Sequence, residues 1–185
     1  MAVNGITLTK FNKNDQLTDV SVTVPERFNI RRGNYTGSSI GGFEIGSDNC
    51  IIAFSQDISK TNKNRNVYLT VTDTSFYRTK KVPLTVYTEN DNITCGTPEL
   101  VKISENLFLV MWEETNKSTN EVTTKGMTVD AKGQTVSSAK TLTARLSDCQ
   151  PILCSDNLVK WYVTDNNGTT LYSFCLLYTS DAADD

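Results

Sequence analysis

The chain has 185 residues, 38% of them hydrophobic and 9% aromatic, enough apolar material for a real core in one or two domains. A net charge of −3 with 21% charged residues gives no electrostatic pull toward nucleic acid or an anionic membrane surface. No apolar run reaches the roughly 18 residues of a membrane span, and the first residues carry no signal-peptide pattern.

Residues 4–12 and 20–24 read as strands, like the last two of a unit whose first two would precede Met1. Arg31-Arg-Gly-Asn-Tyr-Thr-Gly37, with Gly41 and Gly42 close behind, reads as a tight turning connection. Four strands follow at 40–46, 50–55, 66–72 and 81–88, with a polar loop at 56–65. Pro83, which lacks a backbone donor, suits an edge position for the fourth. Gly96-Thr-Pro98 leads into a second set at 98–104, 107–112, 122–129 and 135–142. Leu107-Phe-Leu-Val-Met-Trp112 is apolar on both alternating faces yet too short for a typical helix, so it reads as a central strand buried on both sides. Segment 113–121 reads as a polar loop, and Gly133 supplies the positive φ that the next turn needs. Residues 145–151 lead into a third set at 158–163 and 169–174, joined by the turn Asp165-Asn-Asn-Gly168.

The sets repeat in register. Ser47-Asp48-Asn49 before Cys50-Ile-Ile returns 57 positions later as Ser104-Glu105-Asn106 before Leu107-Phe-Leu, and Ser155-Asp156-Asn157 follows after another 51. Four short strands recurring at about this spacing are the signature of propeller blades. The expected fold is therefore all-β: a fragment of a β-propeller with four-stranded antiparallel blades, two complete and others partial. Segments 1–30, 31–92, 93–144 and 145–174 are its units. A two-sheet sandwich is the alternative, though it does not require one corner to recur three times.

Few chemical sites survive inspection. The chain has no histidine, which removes Ser-His-Asp, Cys-His and HExxH centres, and it has no phosphate-binding loop or calcium loop. Four cysteines precede position 175: Cys50, Cys95, Cys149 and Cys154. They lack C-x-x-C spacing, so no metal site or cofactor is expected. Cys149 and Cys154 read as lying on opposite faces of one strand, and a Cys95–Cys149 bridge is geometrically conceivable. The remaining enzymatic option is a carboxylate pair some 5–9.5 Å apart. Its candidates Glu113, Glu114 and Asp148 are expected to be solvated instead. Trp112 and Trp161 are expected in the core between blades. A binding rim would form where the connections into each first strand meet the loops after each second strand. It would carry Arg31, Arg32, Asn34, Tyr35, Arg145, Asp148 and Gln150, donors and a ring face suited to a polar glycan or peptide.

The segments RRGNYTGSSIGGFEIG, RNVYLTVTD, TPELVKISENLFLVMWEE and ARLSDCQPI…WYVTDN resemble repeats in secreted surface proteins of Gram-positive anaerobic bacteria. That resemblance implies an extracellular, non-catalytic region for binding, adhesion or display, whose partners would be a ligand and the remaining blades of the same chain. The alternative is part of a propeller-fold carbohydrate-active hydrolase. Residues 175–185, CLLYTSDAADD, resemble the translation of a sequencing adaptor and are set aside as a non-native tail.

Overall fold

The computed structural model describes residues 5–9, 11, 14, 22–27, 37–59, 62–76 and 78–175. They form fourteen strands and no helix, arranged in four antiparallel sheets that follow one another along the chain. β1 (Gly5–Leu8) pairs with β2 (Val22–Arg27). The first four-stranded sheet has the order β3 (Ser38–Ile45), β4 (Asn49–Asp57), β5 (Arg65–Asp73), β6 (Thr79–Pro83). The second joins β8 (Glu99–Ser104), β9 (Leu107–Asn116), β10 (Val122–Asp130) and β11 (Thr135–Leu142), with β7 (Ile93–Cys95) continuing the line of β8 along β9. The third comprises β12 (Ile152–Leu153), β13 (Leu158–Asp165) and β14 (Gly168–Cys175). The segments after Asn49, Asn106 and Asn157 thus take equivalent places, each the second strand of its own sheet, rather than scattered places in one sandwich.

Among the strand boundaries that differ from expectation, three have a clear cause or consequence in the pairing. β6 stops at Pro83, not at residue 88, because Leu84 and Thr85 turn inward to donate their N–H groups to the Val67 carbonyl. β9 runs on through Glu113 and Glu114 to Asn116, since β10 on one side and β7 on the other pair with that stretch. Cys175 belongs to β14, paired with Leu158, so the strand reaches one residue into the segment set aside as a tail.

Alternation along each strand builds the core. In β4, Ile52 and Phe54 face the β1–β2 sheet and meet Ile6, while Ile51 and Ala53 face the second sheet. In β9, Phe108, Val110 and Trp112 face back to the first sheet, and Leu109 and Met111 face the third. Val159 and Trp161 of β13 close that second junction. Both tryptophans lie in the core, as their position on the strand predicts; each packs on the sheet before its own.

The sheets approach most closely at their first strands. Gly41 and Gly42, read both as part of a turning connection and as the start of the strand at 40–46, lie inside β3 at a bulge. A Cβ at Gly41 would stand 1.4 Å from the Pro98 carbonyl oxygen, and one at Gly42 2.6 Å from the Leu100 Cβ, so only glycine lets β3 and β8 touch. Corners also meet: Ser47 N–H donates to the Glu105 carbonyl, and Ser47 Oγ to Asn106 Oδ1 at 3.0 Å. Gly133, at φ 72°, makes the β10–β11 turn as expected.

Candidate functional site

The connection after the first sheet gathers with the loops after the second strands of the first two sheets at one end. Asn64 Nδ2 donates to the Asp91 carbonyl at 3.0 Å, Ser59 Oγ to Glu89, and Lys117 N–H to the Asn92 carbonyl at 2.8 Å. The connection after the first sheet therefore touches the β4–β5 loop and the β9–β10 loop together. Asn66, buried, holds it down: its Oδ1 accepts from Thr85 Oγ1 and Tyr87 N–H, and its Nδ2 donates to the Tyr87 carbonyl.

Glu113 and Glu114, weighed as catalytic carboxylates, serve the connections instead. They are neighbours on β9 and so point to opposite faces. Glu114 Oε1 accepts from Tyr87 Oη at 2.8 Å and from Trp112 Nε1 at 2.9 Å, on the side of the first sheet. Burial and that carboxylate push the Tyr87 phenol well above its ordinary range, so it stays a donor. Glu113 Oε1 accepts from Arg145 Nε at 2.7 Å and Leu146 N–H at 3.0 Å, on the side of the third sheet.

Of the sequence-predicted rim, Arg31, Arg32, Asn34 and Tyr35 lie outside the described residues. Arg145 pairs with Glu113, and 56% of its side chain remains exposed. It walls an open cleft of about 390 Å³ between the second and third sheets, lined also by Tyr172, Thr123, Thr141 and Thr143. The other face of Tyr172 is engaged, its ring stacked 5.6 Å from that of Trp161. Gln150 is not a free ligand donor: its Nε2 donates to the Leu100 carbonyl at 2.6 Å, tying the approach to β12 to β8.

Asp148 is exposed and lies near a residue that sequence reading passed over, Glu99. Glu99 heads β8, is 7% exposed, and has no hydrogen-bonding or ion-pairing partner among the described residues. Loss of hydration, reinforced by the Asp148 charge, pushes its carboxyl up to about 8, so it carries its proton at neutral pH. A charge beside Pro98 at a strand start looks solvated in the sequence; only the meeting of connection 143–151 with β8 buries it. Tyr172 also escaped notice, as one aromatic among the alternating residues of a last strand.

The cysteines are all free. Cys95 lies in the first junction and Cys149 against the second, so the conceivable bridge between them does not form. Cys149 and Cys154 flank β12 rather than occupying opposite faces of it. Burial pushes the Cys95 thiol up to about 12, which makes it inert. Among the described residues no cluster of three metal-binding side chains occurs, and no helix is long and apolar enough to cross a membrane.

No protein-family model and no curated protein matches the chain. Among solved structures it is similar to the endo-arabinase from Bacteroides thetaiotaomicron, with a TM-score of 0.48 and 9% identity, over 91% of this chain. The likeness spans 64% of that protein's length.

Proposed function

We propose that the chain is part of a β-propeller in an extracellular bacterial surface protein, and that it binds a polar glycan or peptide without transforming it. Support for the propeller comes from the sheets themselves. Each contributes its first strand to a common inner side, where β3 meets β8 and Gln150 joins β8 to the approach to β12. The observation that carries the binding reading is the cleft at the loop end. Arg145 offers an exposed planar fork and Tyr172 an aromatic wall, the chemistry that suits a sugar or a polar peptide.

The test is binding to an array of oligosaccharides and peptides, followed by titration of any hit against Arg145→Ala and Tyr172→Ala. Each substitution should weaken binding at least tenfold. Hits that ignore both changes, or no hits at all, would overturn the reading.

Glu99 favours a second reading, a carbohydrate-active hydrolase. A protonated carboxyl beside the second carboxyl of Asp148 is the pairing that glycosidic proton donation uses. In that case polysaccharides should release reducing ends, and Glu99→Gln should abolish the release while leaving Arg145-dependent binding intact.

A further inference from the structure

Alternation along β8 puts Leu100 in the first junction and Val101 in the second, so Glu99 faces the third sheet. Over it lies the connection into β12, residues 145–151, whose Asp148 brings a second acidic group close by. Among the described residues no cation faces this pair. Arg145 is engaged by Glu113, two places beyond Met111, the cross-strand partner of Glu99. Lys102 shares the opposite face of β8 with Leu100 and pairs with Glu105. Lys160 lies on the face of β13 away from Val159 and Trp161 and pairs with Asp156. Ile152 and Leu153 of β12 bring no charge. A carboxylate with neither water nor a donor is strongly disfavoured, so Glu99 ionises only if its surroundings change.

The cover over Glu99 is anchored unevenly. Its first part is fixed to β9 and β13: Leu146 N–H donates to Glu113 at 3.0 Å, Ser147 Oγ to the Tyr162 carbonyl at 2.7 Å, and the Trp161 indole N–H to the Arg145 carbonyl at 2.8 Å. Pro151, at its far end, is buried. Between them, residues 148–150 are tied to β8 by the bond from Gln150 Nε2 to the carbonyl of Leu100, the residue after Glu99. Asp148 and Gln150 are exposed, and Cys149 packs partly buried against the second junction.

We propose that residues 148–150 form a pH-operated latch, seated on β8 while Glu99 is neutral and lifted from it when Glu99 ionises. Lifting admits water to the new carboxylate and turns Asp148 away, which removes both the loss of hydration and the repulsion. With the carboxyl pushed up to about 8, the transition falls in mildly alkaline solution. The first junction has no counterpart. There the connection ending at Pro98 presses on Gly41 and Gly42, which carry nothing to titrate. Cover and carboxyl both belong to the described residues, and the inference rests on neither functional reading.

An NMR titration of the whole chain tests it, following the Glu99 side-chain carbon and the Gln150 side-chain amide. The two should change together with a midpoint at about 8, the amide exchanging with water at least tenfold faster than its intrinsic rise explains. Backbone amides of β4 should stay protected throughout. In Glu99→Gln the Gln150 amide should not respond over the same range. Gln150→Ala, which loosens the latch without touching the carboxyl, should lower the Glu99 midpoint by about half to one pH unit, because a weaker cover holds the proton less tightly. A Glu99 midpoint at its ordinary 4.5, a Gln150 amide that stays bonded while Glu99 titrates, or one that still responds in Glu99→Gln would each overturn the proposal. So would a midpoint that Gln150→Ala leaves in place, or β4 amides that open together with the latch.

Discussion

The two junctions between consecutive sheets use the same parts and finish differently. At both, a tryptophan packs backward and its indole N–H helps fix the preceding connection: Trp112 through Glu114 to Tyr87, Trp161 directly to the Arg145 carbonyl at 2.8 Å. The first junction then closes. Thirteen buried residues join in one cluster, and Asn66 and Thr85 satisfy the backbone beneath them. The second holds five buried residues, replaces the Asn66 network with the single bond from Thr124 Oγ1 to the Ala144 carbonyl, and leaves a cleft. Once apolar packing is sufficient to hold two sheets together, relaxing the polar clamp at one junction leaves its loop end open, at the cleft where the proposed ligand would sit.

Cutting the anchors should separate the junctions most clearly. Trp112→Ala removes a fully enclosed ring and should cost about 4–5 kcal/mol in urea denaturation, whereas Trp161→Ala, beside an open cleft that can collapse, should cost about 3 kcal/mol. Equal losses would erase the distinction. The next effect is pH dependence. Glu99 binds its proton more tightly folded than unfolded, so its contribution is complete below its ordinary value of 4.5 and lost as pH rises toward about 8. Stability should therefore fall across that window by an amount on the order of a few kcal/mol, and Glu99→Gln should flatten the profile. The smallest contrast lies in the clamps. Asn66→Ala strands the Tyr87 N–H and carbonyl and the buried Thr85 hydroxyl, and should cost about 2 kcal/mol. Glu113→Ala cuts a largely exposed ion pair plus one N–H bond and should cost about 1 kcal/mol. A larger loss from Glu113→Ala would show that the second junction is clamped as firmly as the first.

Strand order and the recurring unit were legible because alternation and the Ser-acidic-Asn corner are local signals. Leu107–Trp112 announces a strand buried on both faces, and Gly133 announces its turn. What stayed hidden depends on partners distant in sequence. Glu113 and Glu114 look like loop charges until β7 is seen to prolong the pairing of β9. The need for Gly41 and Gly42 is invisible until Pro98 and Leu100 are seen pressed against them. Gln150 looks like a ligand donor until it meets the Leu100 carbonyl. Even the repeated corner conceals a difference, for Asn157 sits at φ 61° and its two counterparts do not take a positive φ.

The side-by-side glutamates of β9 act as a two-way staple. Because adjacent positions of an extended chain look in opposite directions, Glu114 can reach only the tether behind and Glu113 only the tether ahead. Inserting one residue between Trp112 and Glu113 would hand each carboxylate to the wrong tether while leaving composition almost untouched. The succession of sheets is thus secured by odd and even numbering, a form of bookkeeping that tolerates many substitutions but not a single-step slip.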